Sequence, residues 1–323
     1  MTRRLPAAIA LAILTAAAAS LTGCGSSDNA AQAADAAPPV APNPSTFDCT
    51  SLPRLPERVA ATPTACETDP SCRTRLVAAH RGGGGPMGRL APENSLAGYR
   101  AAIVLGADFA ETDPRPTADG VLVNVHDTTV DRTTNGTGEV SQMTLAEVQA
   151  LGLDTGKYQG DFRCERIPTL REVLETCRGR IHVLVDANKT DRVDLLVGDI
   201  VATDTVEWAI FDTSSLDKIQ QALAIEPSLH VMFRVDSVEQ VDAGLAALAH
   251  HPPVIIEVNG GNLKTIAQAI HDRGHRVLTD VFSQDLAVSM SDDISLYEQP
   301  YSAGADIAQT DRPELVLRWL GRH

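Results

Sequence analysis

Residues that could carry out proton transfer and bind an anion or a metal ion are concentrated near the start of the long patterned part of the chain. Two histidines, an arginine and a pair of acids each lie near the end of an apolar run: His80, Arg81, Glu111, Asp113 and His126. Histidine titrates near neutral pH without help, so the two histidines are candidates for proton transfer. The planar donors of arginine suit a phosphate. Because side chains at the ends of parallel strands converge on one ligand, the pattern predicts an active site.

The acids predict a binding site for a divalent cation. Glu111 and Asp113 are two residues apart on a predicted strand, so both side chains point to one face. This pair alone fits a solvated strand end equally well. Asp186 ends a later predicted strand and supplies a third oxygen donor. Three carboxylates favour a hard cation, and we expect Ca²⁺ or Mg²⁺.

The part of the chain from residue 76 onward alternates short β-branched runs with segments of helical period, which is typical of repeated β/α units. We predict strands at residues 76–81, 108–115, 181–187, 207–212, 229–235, 253–259, 276–282 and 306–310. We predict helices at residues 92–105, 169–177, 190–201, 214–224, 238–249, 262–273 and 313–320. This number of strands over about 250 residues indicates an α/β fold of the TIM (β/α)8 barrel type, with a doubly wound sheet as the alternative.

Residues 116–165 interrupt this alternation and predict a small insertion after the second barrel strand. They contain an extra strand at 121–126, a glycine-rich turn, and a short helix near Thr144, where Thr-Leu-Ala-Glu147 fits a capping box. Material inserted after a barrel strand belongs to the loop face that carries active sites.

A glycine run after the first strand satisfies a dinucleotide-binding pattern by its letters alone. Gly83, Gly85 and Gly88 fit G-x-G-x-x-G, and Glu111 follows at a suitable distance. In that motif, however, the turn runs straight into a helix, whereas residues 89–92 intervene here. The preceding His-Arg pair has no role in the motif either, so the sequence argues against a nucleotide site.

The beginning of the chain predicts export and a lipid anchor. Residues 1–23 combine two arginines, an apolar stretch and the ending Leu-Thr-Gly before Cys24, and they resemble a lipoprotein signal peptide with lipid attached to Cys24. The alternative is a secretory signal cleaved near Ala18 or Ala19. Residues 24–48 lack large apolar side chains and predict a flexible tether. We therefore expect an exported lipoprotein of the cell envelope, anchored to the membrane.

Five cysteines follow Cys24, the first three of them in or near a predicted extension at residues 49–75: Cys49, Cys66, Cys72, Cys164 and Cys177. Export makes disulfides plausible, and no spacing typical of a zinc site is present. The pairing stays open, and an odd number leaves one thiol unpaired. The net charge of −15 predicts that nucleic acid is not a partner.

The barrel region, residues 76–323, resembles the glycerophosphodiester phosphodiesterase family in a series of ordered motifs. These are His80-Arg81-Gly82, Pro92-Glu93-Asn94-Ser95, Glu111-Thr-Asp113, Asp119-Gly120, His126-Asp127, Asp131-Arg132-Thr133-Thr134, Ile167-Pro168-Thr169-Leu170 and Thr310-Asp311-Arg312-Pro313. The resemblance implies metal-dependent hydrolysis of a small-molecule glycerophosphodiester to sn-glycerol 3-phosphate and an alcohol. It implies that Glu111, Asp113 and Asp186 bind the metal, that His80 and His126 act as general base and acid, and that Arg81 holds the phosphate.

The chain departs from the family pattern at the third barrel strand, which commonly ends in Glu-x-Lys. Here it reads Asp186-Ala-Asn188-Lys189, and on a continuous strand this shift would point Lys189 to the opposite face. Lys189 therefore contributes to phosphate binding only if it reaches back from a loop. The Trp-Thr pair that the family often has near residue 280 is also absent, since the chain reads Leu-Thr279-Asp280.

Two other functions compete with this interpretation. A phospholipase D-like or sphingomyelinase D-like phosphotransferase acting on lysophospholipids has a similar site and often uses Asp as the third ligand, but the Thr310 to Pro313 ending favours the glycerophosphodiesterase branch. A non-catalytic envelope lipoprotein is disfavoured by the presence of both histidines and all three acids.

Overall fold

The computed structural model describes residues 42–51, 55–259 and 263–322. In these ranges the strands are β1 (Leu76–Ala79), β2 (Phe109–Thr112), β3 (Pro114–Pro116), β4 (Leu122–Asn124), β5 (His182–Asp186), β6 (Ala209–Thr213), β7 (His230–Val235), β8 (Ile255–Val258), β9 (Val277–Asp280) and β10 (Ile307–Thr310). The α-helices are α1 (Thr64–Thr68), α2 (Leu96–Leu105), α3 (Leu145–Ala150), α4 (Leu170–Cys177), α5 (Val193–Ala202), α6 (Leu216–Ile225), α7 (Val238–Ala247), α8 (Leu263–Asp272), α9 (Phe282–Ser291), α10 (Glu298–Ser302) and α11 (Pro313–Trp319). None of these helices has the length and apolar character needed to cross a membrane.

Eight parallel strands form a closed barrel in the order β1, β10, β9, β8, β7, β6, β5, β2. The barrel closes where β1 pairs with β10, with Leu76 opposite Ile307 and Ala79 opposite Thr310. The predicted TIM barrel is thus confirmed, and the doubly wound sheet is excluded because an open sheet would leave two unpaired edges.

The barrel interior changes from apolar to polar along the strand direction. A buried apolar layer consists of Ala78, Phe109, Leu184, Ile210, Met232, Ile255, Leu278 and Ile307. Because side chains two residues apart on a strand share a face, the next inward layer toward the carboxyl ends is His80, Glu111, Asp186, Asp212, Arg234, Glu257, Asp280 and Gln309. The lower layer therefore supplies the core, and the upper layer forms a polar mouth.

The N-terminal extension closes the opposite end of the barrel. Helix α1 places the fully buried Glu67 against His182, whose Nδ1 lies 2.5 Å from the Glu67 carboxylate. Arg276, also fully buried, donates from Nη2 to the Glu67 carbonyl oxygen at 2.7 Å. A disulfide between Cys66 and Cys72 ties this turn together. The predicted extension at 49–75 thus includes a plug for the barrel floor.

A second disulfide joins Cys49 to Cys164 and fastens residues 42–51 to the end of the insertion. Phe47 in this segment is fully buried, and its ring lies 6.4 Å from that of Phe162. Phe47 and Asp48, at the end of the predicted tether at 24–48, are therefore buried, whereas Asn43, Ser45 and Thr46 before them are exposed. Cys177 is the one free cysteine in the described ranges. The predicted signal peptide at 1–23 and the predicted lipid attachment site at Cys24 lie outside them.

The insertion differs from its prediction in one respect. The predicted strand at 108–115 ends at Thr112, and Pro114–Pro116 instead pairs antiparallel with Leu122–Asn124 as a hairpin. A proline that cannot donate to a continuing ladder favours this break. The predicted capping box at Thr144 and Glu147 is present at the start of α3.

Three helices were not predicted from the sequence, and the start of a fourth was predicted too early. Helices α1, α9 and α10 were missed altogether. Helix α2 begins at Leu96 and not at residue 92, because the side chain of Ser95 caps it by accepting from the Gly98 N–H.

Candidate active site

The chain turns sharply at the end of β1 and thereby brings a backbone donor to the barrel mouth. Arg81 has φ 51° and Gly82 has φ 73°, both in the left-handed region. A Cβ atom on Gly82 would lie 3.0 Å from backbone atoms of Gly98 and Tyr99, so glycine is required there for close approach as well as conformation. In this turn the N–H of Arg81 donates to Glu111 Oε2 at 2.9 Å.

His80 is buried at the mouth and is held through both ring nitrogens. Its Nδ1 lies 2.6 Å from Asp311 Oδ1, and Arg81 Nε lies 3.2 Å from its Nε2. Because a guanidinium nitrogen only donates, Nε2 must accept, which assigns the ring proton to Nδ1. Nε2 also lies 3.9 Å from Glu111 Oε2. The structure therefore turns Nε2 of His80 toward Arg81 and the edge of the acidic cluster.

Glu111, Asp113 and Asp186 form the one group of potential metal ligands found within the described ranges. Each offers an oxygen within 4.8 Å of the others, and all three side chains are buried. Burial, with the neighbouring Asp113 and Asp186, raises the pKa of Glu111 well above its usual value. Burial also raises the pKa of Asp186, but Arg234 and Lys189 outweigh it, and the net pKa is below the usual value. The cluster thus gathers three buried carboxylates whose hard oxygen donors fit a divalent cation.

Lys189 does reach the acidic cluster. Strand β5 ends at Asp186, and residues Ala187–Lys189 form a turn of 3₁₀ helix. The turn places Lys189 Nζ 3.5 Å from Asp113 Oδ1 and 3.6 Å from Asp186 Oδ2. Strand alternation therefore does not apply beyond Asp186, and the shift by one residue relative to the family pattern is compensated locally.

Asn94 is a site residue to which the sequence interpretation gave no role. It has φ 53°, and its Nδ2 donates to Asp113 Oδ2 at 2.8 Å. Its Oδ1 accepts from the Tyr99 hydroxyl at 2.9 Å. The Pro-Glu-Asn-Ser motif carried a signal for this residue, because asparagine tolerates the left-handed region where other residues are strained.

His126 lies just after β4 in the insertion and is partly exposed. Its Nδ1 lies 2.9 Å from Asp127 Oδ1, and Arg115 Nη2 donates to its carbonyl oxygen at 2.7 Å. Burial lowers the pKa of His126, while Asp113 and Asp127 act in the opposite direction. The charge of Asp113, one of the metal-ligand candidates, therefore influences His126, although His126 lies outside the barrel strands.

The far side of the mouth contains a charged network that was not predicted. Arg234 donates from Nε to Asp212 Oδ1 at 2.9 Å, and the same Nε lies 3.1 Å from Glu257 Oε2. Burial raises the pKa of Asp212 to about 6 despite Arg234. Asp280 occupies the region where the Trp-Thr pair is absent and accepts from Gln309 Nε2 at 2.7 Å. A period of two from the inward apolar residues was the signal that could have located these side chains.

These features define a TIM-barrel protein with a buried acidic cluster and two histidines at the barrel mouth. A model of the glycerophosphoryl diester phosphodiesterase family matches residues 80–315. The chain belongs to this family.

Individual relatives agree with this assignment. A glycerophosphodiester phosphodiesterase of Caldanaerobacter subterraneus subsp. tengcongensis is 50% identical over 101 residues, which cover 31% of this chain and 39% of the relative. A crystal structure of glycerophosphodiester phosphodiesterase from Agrobacterium tumefaciens has 28% identity and a TM-score of 0.60, covering 75% of this chain and 99% of the other.

A third similar structure contains a ligand. It is an Oleispira antarctica phosphodiesterase in complex with the product sn-glycerol-3-phosphate, with a TM-score of 0.62 and 24% identity, covering 77% of this chain and 97% of the other. At 24% identity this similarity supports the shared fold alone.

Proposed function

We propose that this protein hydrolyses glycerophosphodiesters to sn-glycerol 3-phosphate and an alcohol. The observation that carries the proposal is the arrangement of three buried carboxylates, with oxygens within 4.8 Å of one another, beside His80. Membership of the family and the product bound to the Oleispira antarctica relative support the same reaction.

Arg81 and Lys189 are the proposed phosphate-binding residues. Arg81 lies in the mouth with its Nη1 on Glu93 at 2.9 Å and its Nε 3.5 Å from Asp113 Oδ2. The Lys189 ammonium lies on the other side of Asp113. The two cations approach the cluster from different elements, so a phosphodiester above Asp113 could receive charged donors from both sides.

His80 and His126 are the proposed proton-transfer pair. Nε2 is the unprotonated ring nitrogen of His80 and accepts from Arg81 Nε in the structure. We assign to it the proton of the attacking O–H group as the new P–O bond forms. His126 donates a proton to the alcohol oxygen as the old P–O bond breaks. Asp311 orients the first imidazole through Nδ1, and Asp127 orients the second.

Glu111, Asp113 and Asp186 are the residues that would hold a divalent cation, and we propose Ca²⁺ or Mg²⁺. When bound, the cation supplies Lewis-acid charge for the phosphoryl oxygens. The buried position of the carboxylates excludes water from their surroundings and strengthens their interaction with that charge.

Product analysis tests the function. Purified protein is incubated with glycerophosphocholine or a lysophospholipid, with and without chelator. We expect sn-glycerol 3-phosphate and choline from the first substrate, and loss of turnover with chelator. Turnover that survives chelation contradicts the metal assignment, and exclusive attack on the lysophospholipid would support the phospholipase D-like alternative.

We also propose that the protein is an exported lipoprotein attached to the membrane through Cys24. The sequence of residues 1–24 supports this placement. Labelling with a fatty-acid analogue in a bacterial host tests it: the wild type should be labelled in the membrane fraction and Cys24→Ala should not. Labelling of the variant at the wild-type level would contradict the assignment.

A further inference from the structure

One arginine of the insertion connects the two candidate catalytic histidines through charged side chains. Arg132 donates from Nε to Asp127 Oδ2 at 2.7 Å, and Asp127 holds Nδ1 of His126. Arg132 also donates from Nη1 to Glu93 Oε2 at 2.7 Å. Glu93 in turn accepts from Arg81, whose Nε contacts Nε2 of His80.

The contacts of Arg132 use the geometry of a guanidinium group. It makes two hydrogen bonds to each of two carboxylates, the additional pairs being Nη2 to Glu93 Oε1 at 2.8 Å and Nη2 to Asp127 Oδ1 at 3.2 Å. Fork-like pairs of this kind fix direction as well as distance. A lysine has a single nitrogen and cannot grip both carboxylates in this way.

Glu93 is the point at which the insertion and the barrel meet. Its carboxylate is buried, and Oε1 accepts both from Arg81 Nη1 at 2.9 Å and from Arg132 Nη2 at 2.8 Å. Arg81 belongs to the turn after β1, whereas Arg132 belongs to the insertion. One carboxylate thus sets the separation between a phosphate-binding cation of the barrel and the loop that carries His126.

We propose that Arg132 is a positioning residue that fixes His126 of the insertion relative to Arg81 and His80 of the barrel. The proposal rests on the function proposed above. His126 is carried outside the barrel strands, so its distance from the reacting phosphate depends on how the insertion is held. A misplacement of about 1 Å can reduce the rate about 100-fold.

The test compares Arg132→Ala and Arg132→Lys with Arg163→Ala as a matched control. Arg163 also lies in the insertion and makes two side-chain hydrogen bonds to Asp161, but its side chain is 87% exposed and bonds to none of Asp127, Glu93 and Arg81. We expect kcat of R132A on glycerophosphocholine to fall about 10- to 100-fold, the range typical when a residue that orients an active-site group is removed. KM should change little, R132K should recover only part of kcat, and R163A should match the wild type.

Chemical rescue separates positioning from general damage to the fold. Arg132 is 44% exposed and lines a cavity of about 280 Å³ together with Glu93, Thr133 and Lys157. Guanidinium at millimolar concentration should therefore enter the R132A protein and raise its kcat severalfold without changing the wild type or R163A. Asp127→Asn added to R132A should cost less than it costs in the wild type, because both changes break the same connection.

A measurement without turnover keeps the proposal independent of the substrate assignment. In the wild type and R163A, the Nδ1 proton of His126 should give a slowly exchanging NMR signal, and this signal should broaden or vanish in R132A. A wild type that releases no product would end the proposed function alone. Wild-type kcat in R132A, a loss confined to KM, or an unchanged His126 signal would overturn the role of Arg132.

Discussion

Oδ1 of Asp311 lies 2.6 Å from Nδ1 of His80 although 231 residues separate them in the chain. The other oxygen, Oδ2, accepts from the Met87 N–H at 2.8 Å, so the carboxylate is fixed independently of the histidine. An imidazole held in this way presents Nε2 to the site in one tautomer and one orientation. Asp311 therefore fixes the tautomer and orientation that the proposed role of His80 as a base requires.

Asp311→Asn should lower kcat on glycerophosphocholine about 10- to 100-fold while changing KM little, because an amide can donate to Nδ1 and reverse the tautomer. Steady-state kinetics check this. Asp242→Asn, which alters an exposed pair with Arg273, is the control and should retain full activity. Equal activity of D311N and the wild type would show that His80 needs no orienting partner.

Glu111→Gln should abolish metal binding and stabilise the metal-free protein. In the wild type, burial and two neighbouring carboxylates raise the pKa of Glu111, so ionisation of the cluster opposes folding without a cation. We expect the Tm of metal-free E111Q at pH 8 to exceed that of the wild type. The wild type alone should gain about 3 kcal/mol at roughly 100 times the Kd for Mg²⁺ or Ca²⁺. An equal metal-induced rise in Tm for E111Q would remove Glu111 from the ligand set.

Lys189→Met should weaken substrate binding more than it slows turnover. The ammonium lies 3.5 Å from Asp113 Oδ1, where it can face a phosphate. We expect KM for glycerophosphocholine to rise about 10-fold, which corresponds to roughly 1.4 kcal/mol. Lys264→Met, which changes an exposed lysine in helix α8, serves as the control. A KM equal to that of the wild type would mean that Lys189 does not contact the phosphate.

Asp285 should make stability depend on pH. Burial raises its pKa to about 6 from 3.8, although the hydroxyls of Thr310 and Tyr297 act in the opposite direction. Since the folded-state pKa is above the unfolded one, its contribution is fully present below pH 3.8 and is lost as the pH rises through 6. The loss is about 3 kcal/mol.

Asp285→Asn removes this titration and should destabilise the protein at every pH by disturbing the bond from the Asp311 N–H. The gap in unfolding free energy between the wild type and D285N should therefore shrink between pH 4 and pH 7, as measured by urea denaturation of the metal-free proteins. A gap of constant size would show that Asp285 has an ordinary pKa in the folded state.

The eight barrel strands and the acidic cluster were predictable because they follow from local pattern. Strand periodicity places Glu111 at the barrel mouth. Because the carboxyl ends of parallel strands meet at the same face of the barrel, Glu111 and Asp186 lie close together. The contact between His80 and Asp311 was not predictable in this way, because it depends on which strand closes the barrel. The floor formed by Glu67 and Arg276 likewise depends on tertiary contacts between distant segments.

Some features were missed although the sequence carried a signal for them. Asp186 starts a turn by accepting from the Asn188 N–H at 2.8 Å, and Asp-x-Asn is a turn-forming pattern that explains where Lys189 lies. Helix α9 was missed because serine is a poor helix former. The hydroxyls of Ser289 and Ser291 bond back to carbonyls four residues earlier, which satisfies them within the helix.

The pairing of β1 with β10 gives the barrel a seam between its first and last strands. The acidic cluster comes entirely from β2, the residue after it, and β5, all of which are synthesised early and lie on one side of that seam. His80 acquires its orienting carboxylate only when the final strand has arrived. A chain released before β10, or one that opens at the seam, would keep its three clustered carboxylates but lose the carboxylate that orients His80. The proposed hydrolytic activity would therefore require completion of the whole ring.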